Sequence, residues 1–341
     1  MNILVVDFLE EPGHTRFNEL LLVAIGGCHE VYFLSSADYV ERVGWTRNHS
    51  LPSFLWSWKG ALGSRVGQCL KYLWLWRSGI LDRFDVVIFS GYETVSFALL
   101  GWLFSESKVM VIDHNNLVQI EVSKLKRRFF SFIPKKICHL GLEQFIVRQL
   151  NETMHLKASW IPFPCLESDK PSRGDHGKCC NDAKIRIFAP GRSVSSGALE
   201  SLAKRLLPPE RFLLIARESN ACFPAELSTM ARIDFDDYDE ILASSDYVFI
   251  GGAFGLRVSG VFFEAMAQGR PVIVERCRFG EEMKRLWPAE VQMADEFQGS
   301  AAVKVPFRSP NPEFMSRHCN DSIQRGLDTA IQALDSRAFC D

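Results

Sequence analysis

Short apolar runs alternate with longer stretches of mixed character through most of this chain. Residues 3–8, 30–35, 85–91 and 108–112 each centre on consecutive Val, Ile, Leu, Phe or Tyr positions. They are too short for a buried helix and lack the strict alternation of a half-exposed strand, so they predict strands covered on both faces. Helical patterns fall between them, at 16–25 and in the stretch from Gly91 through Leu103. Buried strands alternating with helices predict a parallel sheet. In such sheets ligands bind beyond the carboxyl ends of the strands, where Gly13-His14, Ser90-Gly91-Tyr92 and His114-Asn115 fall.

The pattern then stops and restarts. Residues 166–182 are polar and rich in Gly, Ser and Asp, the composition of a linker. Beyond them, strands are expected at 185–189, 211–216, 247–251 and 271–275, and helices at 197–207, 238–244 and 312–333. The expectation is an α/β protein of two doubly wound, Rossmann-like domains. Residues 1–165 form the first, 166–182 the linker and 183–311 the second. Residues 312–341 form a C-terminal helix and tail that returns to the first domain.

Composition narrows the class. The 341 residues are 47% hydrophobic and 23% charged, which fits a globular protein, and the net charge of −2 gives no overall pull toward nucleic acid. Ten cysteines are scattered without metal-ligand spacing, which reads as reduced thiols in a cytoplasmic protein. The start, Met-Asn-Ile-Leu-Val-Val-Asp, has no basic leader region, and no apolar run is long enough to span a bilayer.

The richest stretch is residues 257–274, Arg-Val-Ser-Gly-Val-Phe-Phe-Glu-Ala-Met-Ala-Gln-Gly-Arg-Pro-Val-Ile-Val. Ser259-Gly260 is a small-residue turn opening a helix, whose first amides and partial positive charge suit a phosphate. Glu264 stands about one helical turn further on among apolar neighbours, where a carboxylate can accept two hydrogen bonds from a ribose diol. Gly269 and Pro271 end the helix before a buried strand.

This segment resembles the donor-nucleotide motif of the GT-B glycosyltransferases, above all family 4. The resemblance is carried by Phe254-Gly255-Leu256, Glu264-Ala265-Met266-Ala267, Gly269 and Pro271-Val272-Ile273. It implies two domains facing a central cleft, with a nucleoside-diphosphate sugar as donor substrate and no metal or other cofactor. Pro190-Gly191-Arg192 resembles the family's strand-end turn, whose basic residue holds the donor's diphosphate. Two departures stand out: Leu256 occupies the place of the family's first Glu, and Gly197 that of its Lys. Arg257 is the substitute cation, and the configuration of the product stays open. Asp234-Phe235-Asp236 has the spelling of a metal motif but precedes a helix; by the same resemblance the strand end Ala216-Arg217-Glu218-Ser219 and Ile233 to Phe235 frame the base, with Phe235 as a stacking ring.

In the first domain, Val111-Ile112-Asp113-His114 resembles the family's strand end bearing a His that contacts the transferring sugar, with Asn115 and Asn116 as further polar groups. Gly13-His14 resembles its first-strand glycine loop, and His14 is the candidate base if one is needed, with Glu11 beside it. Residues 51–80 interleave Trp56, Trp58, Trp74 and Trp76 with Lys59, Arg65, Lys71 and Arg77; residues 124–136 combine six Lys or Arg with Phe129, Phe130 and Phe132. Tryptophan beside cations suits the headgroup region of a membrane. The combined expectation is a metal-independent hexosyltransferase of surface polysaccharide synthesis. Its catalytic groups are His114 and His14, and its donor-binding groups are Gly13, Gly191, Arg192, Arg257, Ser259, Gly260 and Glu264. The acceptor is a glycan or lipid-linked glycan, and the location is peripheral at the inner face of the cell membrane. A nucleotide-sugar epimerase or hydrolase, or a silent GT-B module that binds glycan, are the alternatives.

Overall fold

The computed structural model describes residues 1–11, 13–56, 60–104, 107–114, 116–165, 184–219, 221–252, 254–303, 305 and 309–336. It forms two compact units, one of Met1–Pro164 with Arg317–Asp341 and one of Cys165–Ser316. The predicted linker at 166–182 and Asn115 lie outside the described residues.

The first unit is built on strands β1 (Asn2–Asp7), β2 (Glu30–Ser35), β3 (Asn48–Ser50), β4 (Val86–Gly91), β5 (Val109–Asp113), β6 (Cys138–Gly141) and β7 (Ala158–Trp160). They form a parallel sheet in the order β3-β2-β1-β4-β5-β6-β7. Its helices are α1 (His14–Gly26), α2 (Ala37–Val43), α3 (Gly60–Arg77), α4 (Thr94–Leu100), α5 (Asn116–Val122), α6 (Lys124–Phe130) and α7 (Gln144–Thr153). The strands are apolar on both faces because helices cover both. Phe89 of β4 packs against Phe97 of α4 with ring centroids 5.1 Å apart, and Tyr72 of α3 lies 5.5 Å from Phe97. Each such pair contributes about 1 kcal/mol beyond its buried area.

The second unit repeats the plan. Strands β8 (Ile185–Ala189), β9 (Phe212–Arg217), β10 (Ser228–Arg232), β11 (Tyr247–Ile250), β12 (Val272–Val274) and β13 (Val291–Met293) pair in parallel in the order β10-β9-β8-β11-β12-β13. Its helices are α8 (Ser196–Ala203), α9 (Tyr238–Ser244), α10 (Gly260–Ala267) and α11 (Arg278–Leu286). In each sheet the chain winds outward from its first strand, then returns to that strand's other side. The order therefore reverses between β1 and β4, and between β8 and β11, the positions where open α/β sheets leave a crevice for ligands.

The strands that sequence pattern did not reveal are β3, β6, β7, β10 and β13. They are three to five residues long, and β10 carries Ser, Thr and Arg on a largely exposed edge, so no apolar run marks it. The stretch expected as one helix at 312–333 is two, α12 (Pro312–His318) and α13 (Asn320–Asp335), because Cys319 is extended at φ −75°, ψ 163°. Helix α13 packs on the first unit: Gln324 Nε2 donates to the Ala24 carbonyl at 2.8 Å. Just before it, Arg317 donates to the buried Glu143 carboxylate at 2.8 Å, and His318 Nδ1 lies 3.0 Å from the Phe163 carbonyl. Burial holds His318 down at about 3, so it packs as a neutral ring.

Candidate functional site

On the second unit, β8 ends in Ala189 and the chain leaves through Pro190-Gly191-Arg192-Ser193, while β11 leaves through Gly251 and Gly252. These two loops meet at the order reversal. Gly252 sits at φ +129°, and a Cβ there would approach the Ser193 carbonyl oxygen to 2.9 Å, so only glycine permits the contact. Its N–H donates to the Glu275 carboxylate at 2.6 Å, fixing the loop to the end of β12. Arg257 joins the loops from above: its guanidinium donates to Ser193 Oγ at 3.2 Å and lies 4.4 Å from the centre of the Phe254 ring.

Helix α10 opens at Gly260. Ser259 occupies the N-cap in extended backbone and its side chain makes no capping bond, so the amides of the first turn face the charge requirement of a helix start without a side-chain acceptor there. Glu264 is half-buried and accepts a hydrogen bond of 2.5 Å from the Tyr238 hydroxyl at the start of α9. That bond adds a phenol that sequence reading missed. The two residues are 26 positions apart, and only the packing of α9 beside α10 joins them.

A cavity of about 370 Å³ opens beside these loops, lined by Gly191 and Arg192 from the first loop, Arg217, Glu218 and Ser219 after β9, and Ile233. This volume falls in the range of small-ligand sites. Arg192 is exposed, with Asp234 at 3.7 Å, while Arg217 donates to the Pro190 carbonyl at 2.9 Å, to the Ile233 carbonyl and to Asp234 at 2.7 Å. Arg217 therefore braces the cavity wall and Arg192 is its available cation. The Arg217 hydrogen bond, and then the charges of Arg217 and Arg192, hold Asp234 below the usual carboxylate range. The expected stacking ring, Phe235, is buried edge-on against Phe188 at 5.0 Å and covered by Arg217, so Ile233 presents the apolar surface instead. Leu256 is buried as well, so the position where the family carries a Glu points into the core of this unit.

The first unit's reversal point is differently furnished. Asp7 at the end of β1 is fully buried and accepts from the N–H groups of Leu9 and Glu10 at 2.8 and 3.0 Å, and from Asn18 Nδ2 at 2.8 Å. His14 Nδ1 lies 3.4 Å from its carboxylate and Nε2 lies 3.7 Å from Glu11. Burial favours the neutral forms of both groups. Their mutual attraction and the surrounding donors outweigh it, holding Asp7 down at about 2 and raising His14 above the ordinary histidine value. Gly91 of β4 makes room for the carboxylate: a Cβ there would stand 2.2 Å from Asp7 Oδ1. At Gly13, by contrast, an added Cβ meets nothing within 4 Å, so this N-cap glycine leaves open space at the helix start.

His114 follows β5 and is sandwiched between His14 and Phe17, with ring centroids 4.8 and 4.2 Å away. Burial, then the neighbouring His14, push it well below the histidine range, so it is neutral, and among the described residues its Nε2 has no hydrogen-bond partner. The structure thus places Gly13, His14 and His114 on one unit, the two histidines in ring contact, and Gly191, Arg192, Arg257, Ser259, Gly260 and Glu264 on the other. One charge expected on an outer face lies inside: Lys71 is 4% exposed and donates to the Phe8 carbonyl at 3.1 Å, beside the Trp56 ring. Burial lowers it to about 7. It belongs to the packing of the first reversal point. Trp58 and Lys59 lie outside the described residues.

No protein-family model matches the chain, and no curated protein matches it. Solved structures do. Anabaena HepE, crystallised with UDP and glucose, aligns with a TM-score of 0.66 at 14% identity, over 97% of this chain and 99% of that one. The sucrose-phosphate synthase of Thermosynechococcus elongatus aligns at 0.63 and 12% identity, over 98% and 94%. A Listeria monocytogenes protein described as a UDP-N-acetylglucosamine 2-epimerase aligns at 0.51 and 12%, over 90% and 92%. The fold is that of the GT-B glycosyltransferases.

Proposed function

We propose that this protein is a glycosyltransferase that moves a sugar from a nucleoside-diphosphate sugar to a glycan or lipid-linked glycan acceptor, in the synthesis of surface polysaccharide. The observation that supports the reading is the second unit's reversal point, where Arg192 lines a 370 Å³ cavity and Arg257 bonds Ser193 in the same loop, on a unit whose helix α10 starts at Ser259 without a bond from that side chain and carries Glu264. Base and ribose enter the cavity region, with Glu264 accepting from the ribose diol and Tyr238 fixing the carboxylate. The diphosphate lies on the first-turn amides at Ser259 and Gly260, and the two arginines stabilise the charge it gains on leaving. These groups replace a metal in the reading. On the first unit, His14, oriented by Asp7, takes the proton of the attacking acceptor hydroxyl, and neutral His114 donates to or accepts from the transferring sugar.

A thermal-shift screen of UDP, GDP, ADP, CMP and their sugars tests the donor half, with UDP first because HepE holds UDP. One diphosphate is expected to raise the midpoint, and the Arg192→Ala/Arg257→Ala protein to lose that rise. Absence of a shift with every nucleotide sinks the reading. A second reading, a nucleotide-sugar epimerase or hydrolase, is favoured by the two carboxylates, Asp7 and Glu11, flanking His14. Free sugar or an epimer formed without acceptor would decide for it.

A further inference from the structure

Helix α3 is inverted with respect to an ordinary surface helix. Its mid-helix lysine, Lys71, points inward, whereas Val66, Leu73 and Trp76 are exposed. These positions recur at helical spacing with Cys69 and Leu70 between them, so one outward stripe of α3 is apolar and Arg65 and Arg77 stand exposed near its ends. Helix α3 packs beside α4, and α4 beside α6, on the same unit. Both neighbours continue the feature. Leu99 and, in the turn after α4, Trp102 are exposed, the latter at 61%. Around α6, Val122 (82% exposed), Leu125 and Phe132 project among exposed Lys124, Arg127, Arg128, Lys135 and Lys136.

The charge pattern across these helices has one sign. Residues 60–77, 94–104 and 122–142 contain no Asp or Glu, in a chain whose net charge is −2. We propose that the outer face of α3, α4 and α6 is the surface by which this protein docks on an anionic lipid bilayer. Trp76, Trp102 and Phe132 would sit at headgroup depth and the Lys and Arg side chains at the lipid phosphates. A bilayer fits better than a protein because a bilayer needs no matched register. It accepts several separate aromatic side chains and a diffuse cationic fringe over three helices at once. No helix among the described residues is long and apolar enough to cross a membrane, so the contact is interfacial. The proposal does not rest on the donor site, which lies on the other unit.

Co-sedimentation of the full chain with phosphatidylcholine vesicles, with and without phosphatidylglycerol, tests it. Binding is expected only when the anionic lipid is present and is expected to weaken as salt rises. Each cation near an anionic surface contributes about fivefold in partition, so Arg128→Gln/Lys135→Gln should lower it about 25-fold. Trp76→Ser/Trp102→Ser should abolish it while the nucleotide-induced thermal shift of the same protein stays at the wild-type value. Equal partition onto both vesicle types, or wild-type partition of these variants, overturns the proposal. So does a dimer that Trp76→Ser/Trp102→Ser dissolves, which would give the face to a second copy of the chain.

Discussion

The two sheets share one strand order but furnish their reversal points in opposite ways. The residue that closes each unit's first strand sets the difference. Asp7 closes β1, and its carboxylate gathers two amides, Asn18 and His14 into the crevice, leaving it buried and acid-centred. Ala189 closes β8 and fills nothing, so the corresponding space is an open cavity rimmed by arginine. Both places rely on a glycine across the reversal, Gly91 in β4 against Asp7 and Gly252 in the loop after β11 against Ser193. The same topology thus yields a buried Asp–His pair on one unit and an open cavity rimmed by arginine on the other.

The largest expected effect tests the first of these. His14→Ala should lower kcat/KM about a thousandfold while leaving the thermal shift by the donor intact, as expected for loss of a general base. Loss of donor binding with it would place His14 in a structural role instead.

Next comes Asp7→Asn. Asp7 stays ionised down to about pH 2 in the folded chain, and His14 keeps its proton above its ordinary value of 6.5. The pair's stabilisation is therefore full between the unfolded values, roughly pH 4 to 6.5. It is lost below as Asp7 protonates and above as His14 deprotonates. Denaturant titration should show Asn costing about 3 kcal/mol inside that window. In activity, the limb that rises with pH as His14 becomes neutral should move to lower pH in this variant, and a fixed limb would remove His14 as the base.

On the other unit, Glu264→Ala should raise the donor KM about a hundredfold, the loss of charge-assisted bonds to a ribose, with kcat at saturation little changed. A drop in kcat alone would dissolve the contrast between the units. The smallest effect is a gain. Gly197 lies in the first turn of α8, where an added Cβ meets nothing within 4 Å. Gly197→Lys should tighten diphosphate binding about fivefold by restoring the cation that the family pattern carries; isothermal titration with the nucleoside diphosphate reads it.

How far this was legible in the sequence follows physical lines. Strands built from consecutive Val, Ile, Leu and Phe announced themselves, whereas β10, with Ser, Thr and Arg on an edge, could not. The helix of Glu264 and its preceding turn were readable because their sequence signals are local. The bonds of Tyr238, Ser193 and Arg217 were not, since each is made to a partner brought near only by folding. Phe235 and Lys71 misled for one reason: residue type suggested exposure to ligand or lipid, and tertiary packing buried both. A strand-end Asp followed seven positions later by His was a signal for the Asp7–His14 pair, hidden because the strand reads as apolar.

Helix α13 completes the first unit although it is made after the second. It lies against α1, β6 and β7, with Gly326 so close to the Trp160 carbonyl that a Cβ would stand 2.7 Å from it. On the ribosome, all of residues 165–316 emerge before this helix does. The middle of the polypeptide is therefore free to reach its native state during synthesis, while the segment that began first must wait, incomplete, for its final wall. A nascent chain stalled short of residue 320 should yield a protease-resistant second unit and a first unit that is still digested.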